Sequence, residues 1–288
     1  MSFELYQGSM YLLQPLGRDL EIYYRVKKVI YVGRSKYQDI AIVELAIFGK
    51  TLILDGLIQS TEADEYIYHE ALVHPSLILH EHPRRVLILG GGEGATLREV
   101  LKHDIVDEVV MVDIDEQVIE VSKKYLEEWH QGSFNNPKAR IVIDDAFAYV
   151  TKALRSGEKY DVVIMDLTDP YGPDIAKHLY SEEFLRKVKG ILRDEKGIVV
   201  TQAGNSFFYK DYYKRLVDNY KKVFARVWEY GVWIPSFMYV NNFVLASDNA
   251  SIIVDDAKLI EKRLSERKVK TRFYNPSTHI AMFLSVSS

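Results

Sequence analysis

Asp166 and Asp169 stand three residues apart at the end of the apolar run 162–165, and Pro170 follows at once. Proline disfavours helix in the residue before it, so the pair belongs to a turn. Two carboxylates in a confined crevice attract cationic amines, and one of them can take a proton from an amine nucleophile. Bonds from the Asp169 side chain that merely brace the turn are the plainer alternative. Three more acidic groups follow short apolar runs in the same way: Glu93 within Gly90-Gly91-Gly92-Glu93-Gly94-Ala95, Asp113 in Asp113-Ile114-Asp115, and Asp145 in Asp144-Asp145.

Gly90, Gly92 and Ala95 have the G-x-G-x-x-A spacing that lets a backbone turn approach a ligand closely while the next helix aims its amides at the same place. The same glycines could serve only a strand-to-helix connection. Asp113, 23 residues beyond Gly90, can accept hydrogen bonds from ribose hydroxyls, as in dinucleotide and adenosylmethionine sites, or else it or Asp115 caps the helix starting at Glu116. Asp145 likewise either caps the next helix or accepts from an adenine amino group.

The elements that must position these residues are legible in the pattern. Runs 21–32, 39–48 and 51–58 are β-rich and separated by short turns, which predicts a small N-terminal antiparallel β-domain over residues 1–61. At Thr61 the pattern becomes helical, with Thr61 able to cap the first turn and Pro75 expected to kink or end the helix. From Arg85 strand, turn and helix alternate: strands at 86–89, 108–112, 140–143, 161–165 and 197–202, helices at 95–101, 116–129, 147–154, 181–192 and 211–223. This predicts an α/β, Rossmann-like, doubly wound and mostly parallel sheet over residues 62–288, closed by β-like runs at 225–233 and 242–246. Ligands of such sheets bind outside the carboxyl ends of the strands, where the acidic groups lie.

Composition narrows the chemistry. The 288 residues carry 37 Lys and Arg against 41 Asp and Glu, a formal charge of −4, so no general basic field exists for nucleic acid or an anionic membrane. The absence of cysteine excludes disulfides, thiolate metal sites and cysteine nucleophiles. His74, His80, His82, His103 and His178 show no metal-ligand spacing, and no metal is expected. No 18-residue apolar run and no leader pattern occur, which reads as a soluble, cytoplasmic protein. The mixed charges of 258–270 read as an exposed helix and turn.

The residues resemble the aminopropyltransferases, the spermidine and spermine synthase family, from about Leu20 almost to the C-terminus. The matching stretches are Tyr37-Gln38-Asp39-Ile40, Leu54-Asp55-Gly56-Leu57-Ile58-Gln59-Ser60-Thr61-Glu62, Tyr68-His69-Glu70, Gly90 to Gly94, Asp113-Ile114-Asp115-Glu116, Asp166 to Pro170 with Gly172-Pro173, and Tyr274-Asn275-Pro276 with His279. The resemblance implies transfer of the aminopropyl group of decarboxylated S-adenosylmethionine, a co-substrate, to an amine, with release of 5′-methylthioadenosine and without a cofactor. It implies Asp166 as the base, with Tyr68 beside the reacting centre. Gln38, Gln59, His69, Gly90, Gly92, Glu93, Asp113 and Asp145 are implied on the donor side, with Asp113 on the ribose and Asp145 on the adenine. Asp169, Gln202 and Phe237 are implied on the acceptor side. A homodimer or homotetramer is implied, and residues 169–177 suit a gate.

Spermidine synthases typically carry Asp where Glu93 stands and Tyr where Phe237 stands. The stretches Thr201-Gln202-Ala203-Gly204, Ile234-Pro235-Ser236-Phe237 and Asp166-Leu167-Thr168-Asp169 look instead like thermospermine synthases, which favours spermidine as acceptor over putrescine or agmatine. Tyr239 and Trp233 either wall the acceptor cleft or serve core and dimer contacts. The competing activities are an adenosylmethionine-dependent N-methyltransferase, for which Asp169-Pro170-Tyr171 is a near-miss of D-P-P-Y, a nicotinamide dehydrogenase, and noncatalytic polyamine or nucleoside binding.

Overall fold

The computed structural model describes residues 3–6, 8–17, 19–169 and 178–285. A first sheet has six antiparallel strands in chain order: β1 (Phe3–Tyr6), β2 (Ser9–Pro15), β3 (Glu21–Arg34), β4 (Asp39–Leu45), β5 (Gly49–Leu54) and β6 (Leu57–Thr61). The run expected at 51–58 is therefore broken. Asp55 (φ 48°) and Gly56 (φ 84°) make a two-residue turn in the left-handed backbone that an Asp-Gly pair supplies and that suits hairpin twist. β1 and β2 were not expected from the pattern; β2 pairs onto β3, and β1 is a short edge strand paired onto β2.

The second sheet has seven strands in the order β12-β13-β11-β10-β7-β8-β9. Here β7 is Arg85–Gly90, β8 Glu108–Asp113, β9 Ala139–Ile143, β10 Val162–Asp166, β11 Ile198–Gln202, β12 Arg226–Ile234 and β13 Tyr239–Ser247. β7 to β11 are mutually parallel, and β13 and β12 add an antiparallel edge, as the alternation predicts. Strands such as Val-Val-Ile-Met of β10 are apolar throughout because both sheet faces are covered. The chain winds outward from β7 through β8 to β9 and later from β10 to β11 on the other side, so the β7–β10 pair is the switch point at which a crevice must open.

Helix α1 (Glu65–Leu79) joins the two sheets. Asp64, not Thr61, occupies its N-cap position. Thr61 ends β6 and donates to Asp64 Oδ1 (2.7 Å), and Asp64 in turn receives the backbone N–H (2.6 Å) and hydroxyl (2.9 Å) of Ser236. Nor does Pro75 end the helix. A proline at this position removes the hydrogen bond to the Ala71 carbonyl, and the Tyr230 hydroxyl supplies the missing donor at 2.9 Å. Leaving that carbonyl unpaired in a buried helix would cost about 1–3 kcal/mol.

Arg263 donates to the carbonyls of Ile78 (2.6 Å) and Leu79 (2.9 Å), and Arg267 to those of Leu77, His80 (2.9 Å) and Glu81 (2.9 Å). These bonds satisfy the last turn of α1, which has no further helix to pair with. The charged segment expected to lie exposed at 258–270 is thus anchored through Arg267, which is buried.

Helices α2 (Ala95–Leu101), α3 (Glu116–Tyr125), α4 (Glu127–His130) and α5 (Ala146–Ser156) follow β7, β8 and β9. The helix expected at 116–129 is interrupted at Leu126. Helices at Glu182–Gly190, Lys210–Val223, Ala257–Glu266 and Pro276–Leu284 complete the α-helices among the described residues. The last was not expected as a helix; Asn275 starts it with a capping box to Thr278. Among the described residues, no helix is long and apolar enough to cross a membrane.

Candidate active site

One cleft opens at the carboxyl ends of β7, β8 and β10, closed on one side by β5 and β6 of the first sheet and on the other by β13. All thirteen residues expected at the site line it: Gln38, Gln59, Tyr68, His69, Gly90, Gly92, Glu93, Asp113, Asp145, Asp166, Asp169, Gln202 and Phe237. The gate expected at 169–177 lies, apart from Asp169, outside the described residues.

Asp166 ends β10 opposite Gly90 of β7. Tyr68 donates to its Oδ1 (2.9 Å) and Thr96, from α2, to its Oδ2 (2.6 Å), which fixes the carboxylate plane. Burial raises its carboxyl above the ordinary range, against the opposing pull of His69 and these two hydroxyls. A carboxylate lifted in this way is a better proton acceptor than a free aspartate.

On the neighbouring strand Asp113 lies against Gly92, where a Cβ would stand 2.8 Å from Asp113 Oδ2. Burial pushes the Asp113 carboxyl up to about 6, although the backbone N–H groups of Asp115 and Gly92 bond it. Asp115 takes the capping task, accepting from Gln117 N (3.1 Å), and so leaves Asp113 to the cleft. Asp115 also accepts from Ser35 Oγ (2.6 Å) and Gln38 Nε2 (2.9 Å), which ties the β3–β4 turn of the first sheet to the start of α3. Asp145 caps α5 through Ala148 N (2.8 Å) and lines the cleft as well.

Glu93 projects from the glycine turn onto α1. Its Oε1 lies 2.5 Å from His69 Nε2, and Ser60 donates to its Oε2 at 2.6 Å. The other ring nitrogen, His69 Nδ1, faces the Glu65 carbonyl oxygen (2.7 Å) and Glu65 Oε2 (2.9 Å). Burial opposes a charge on the ring, but Glu93 and Glu65 outweigh it and hold His69 well above the usual histidine range.

Among the described residues, five carboxylates line the cleft and no Lys or Arg does. Gln202 spends its amide on the Leu167 carbonyl (2.7 Å) and on Gly204 N (2.8 Å), bracing the turn that carries Asp169. At the β13 side Phe237 packs on Tyr68 and Tyr239, with ring centroids 6.1 and 5.5 Å apart.

Residues 65–256 match the spermine/spermidine synthase domain and residues 15–62 the spermidine synthase tetramerisation domain. The chain belongs to the spermine/spermidine synthase family. It is 53% identical over 279 residues to polyamine aminopropyltransferase 1 of Hyperthermus butylicus, covering 97% of this chain and 95% of that one. It is 52% identical to the polyamine aminopropyltransferase of Pyrobaculum aerophilum, covering 96% and 94%. The crystal structure of a spermidine synthase in complex with the transition-state analogue AdoDATO superposes with a TM-score of 0.87 at 32% identity, over 98% of this chain and 94% of that one. That of Thermotoga maritima spermidine synthase gives 0.84 at 32%, over 95% and 90%. The protein is an aminopropyltransferase, and the methyltransferase, dehydrogenase and noncatalytic readings fall away.

The synthase cleft also contains residues that the sequence pattern did not single out. Thr96 holds Asp166, Ser60 holds Glu93, and Asn241 lines the β13 wall between Tyr239 and Phe243 on the same strand face. Asn241 is buried, and its amide nitrogen donates to the Asn242 carbonyl (3.3 Å), leaving Oδ1 as the acceptor. Of the two aromatics left open between the acceptor cleft and core or dimer contacts, Tyr239 lines the cleft, whereas Trp233 is 51% exposed and lies outside it. Glu70, His74 and Glu99 cluster, but Glu70 already accepts three backbone N–H groups and Lys102 lies 2.7 Å from Glu99, so their charges are met within the chain.

Proposed function

We propose that the protein moves the aminopropyl group of decarboxylated S-adenosylmethionine to a polyamine, with spermidine to thermospermine favoured, and releases 5′-methylthioadenosine. The observation that carries this reading is the cleft lined, among the described residues, by five carboxylates and no Lys or Arg, which suits a sulfonium donor with a free ammonium and a polycationic acceptor. A carboxylate on the donor would be repelled there, which selects the decarboxylated form.

The acceptor amine loses a proton to Asp166 and its nitrogen attacks the aminopropyl carbon bound to sulfur. The C–N bond forms, the C–S bond breaks, and its electron pair returns to sulfur as a neutral thioether. The leaving group is already good, so positioning and proton removal are the protein's main tasks. Tyr68 and Thr96 aim the base, Asp113 takes the ribose hydroxyls, Gln38 and Asp145 border the nucleoside, and Gln59, His69 and Glu93 receive the aminopropyl end. Asp169 and Phe237 serve the acceptor directly, and Gln202 serves it by bracing the turn that carries Asp169. Neither step requires a metal or a cofactor.

Phe237 lacks the hydroxyl of the tyrosine typical of spermidine synthases, and this supports an acceptor other than a short diamine. The division into a β-domain at 1–61 and a catalytic domain at 62–288, a homodimer or homotetramer, and a cytoplasmic setting belong to the same reading.

Mass spectrometry after incubation with the decarboxylated donor and an equimolar mixture of putrescine, agmatine and spermidine tests it. Methylthioadenosine with thermospermine is the expected outcome. Equal or faster use of putrescine overturns the triamine preference, and no product from folded protein overturns the reaction.

A further inference from the structure

Glu93 at the cleft wall is the first member of a buried chain of charges that runs away from the site. His69 bridges Glu93 and Glu65, Arg98 grips Glu65 through both terminal nitrogens (3.1 and 2.9 Å), and Arg98 Nε bonds Glu99 (2.7 Å). Every one of these side chains is at least nine-tenths buried, with residue exposures of 7% for Glu93, 1% for His69, 5% for Glu65, 6% for Arg98 and 0% for Glu99. Both ring nitrogens of His69 face only acceptors, an arrangement that satisfies hydrogen bonding only when both carry a proton.

We infer that Glu65 and Arg98 are positioning residues for the transfer: they lock His69 as a double donor, and His69 then fixes Glu93 as an anion for the cationic aminopropyl end of the donor. The inference rests on the aminopropyl-transfer reading and adds residues that touch neither substrate.

The charges alternate. Glu93, His69, Glu65 and Arg98 sum to zero, so the donor's ammonium meets an anion whose neighbour is itself balanced. Without Glu65, the His69 proton would answer to Glu93 alone, the pair could neutralise by proton transfer, and the anion at the cleft wall would be lost. The charged groups around the ring come from every side: Glu65 on its own helix, Glu93 from the glycine turn, Asp166 from β10, and Arg98 beyond Glu65 on α2. Arg98 is also tied to the Trp129 carbonyl (2.5 Å), which makes its guanidinium a fixed point of the fold.

The test reads His69 directly. In the wild-type protein, imidazole ¹⁵N NMR should report both nitrogens protonated across the neutral range. Glu65→Gln should bring His69 deprotonation into that range. Below the new midpoint, where the remaining proton can pass from His69 to Glu93, it should also raise KM for the decarboxylated donor about tenfold, with the acceptor KM unchanged. Arg98→Lys should give a smaller shift in the same direction.

A neutral His69 in the wild-type protein overturns the inference without any variant. So does a Glu65→Gln protein that is folded and keeps the wild-type pH–rate profile and donor KM. Should the wild-type protein make no methylthioadenosine with any acceptor, the reaction itself fails, while the NMR state of His69 still reports on the lock.

Discussion

Gly90 and Asp166 face each other across the parallel pair β7–β10, and the missing side chain at Gly90 makes room for the Asp166 carbonyl. Gly90 has φ 84°, and a Cβ there would collide with that backbone oxygen, so conformation and space demand glycine together. Gly90→Ala should therefore displace the end of β10. A loss of about 1–3 kcal/mol in denaturant unfolding is expected, accompanied by a fall in turnover as Asp166 moves. A variant with wild-type stability and rate would remove this pairing from the design of the site.

Asp166→Asn keeps the shape of the carboxylate and removes the proposed base. Turnover should drop by about 10²-fold or more, with far smaller changes in the two KM values. Because the Asp166 carboxyl sits above the ordinary aspartate range, kcat of the wild-type enzyme at saturating donor, where Asp113 titration drops out, should fall as pH is lowered through that raised value. That acid limb should vanish in the variant. Steady-state rates across pH settle both points, and an Asn variant turning over at the wild-type rate would end the assignment.

The acids at the strand ends were legible because the doubly wound rule is local: an apolar strand, a turn and a helix place Glu93, Asp113, Asp145 and Asp166 on one rim whatever else the chain does. The residues that hold those acids were not legible. Thr96 meets Asp166 at a separation of 70 residues and Ser60 meets Glu93 at 33, through contacts that no periodicity encodes. For the same reason the helix end allowed for at Pro75 does not occur. The helix survives because Tyr230, 159 residues from Ala71, replaces the lost donor. Asp115 resolves the opposite case: the sequence left Asp113 and Asp115 as rival caps, and the structure gives the cap to Asp115 and the cleft to Asp113.

Asp115→Ala should cut two ties at once. The variant loses the cap of α3, worth about 1 kcal/mol, and releases Ser35 and Gln38, which dock the β3–β4 turn. Methylthioadenosine affinity should fall several-fold because Gln38 is no longer held at the cleft edge. Calorimetric titration of the folded variant checks this, and unchanged affinity would show that Gln38 is placed without Asp115.

Asn241 offers an uncharged acceptor among the aromatic residues of the β13 wall. Asn241→Leu nearly preserves volume and removes that oxygen, so KM for the amine acceptor should rise about tenfold, within the range for a lost hydrogen bond to a charged group, while the donor KM holds. Equal acceptor KM values in variant and wild type would assign Asn241 to packing alone.

Asp113 makes ligand affinity and stability run in opposite directions with pH. Its folded-state value of about 6 exceeds the 3.8 of a free aspartate, so between these values the folded chain binds more protons than the unfolded one. Stability must then fall as pH rises through that window, and the penalty persists above it. Asp113→Asn, which has no charge to bury, should match the wild type near pH 4 and be the more stable protein near pH 7.5, as read from urea midpoints. Methylthioadenosine binding should behave oppositely, because only the ionised carboxylate accepts from both ribose hydroxyls: wild-type affinity should decline as pH drops through about 6, while the variant binds weakly and without pH dependence. A wild-type affinity that stays flat from pH 5 to 8 would mean that Asp113 does not hold the ribose in its charged form.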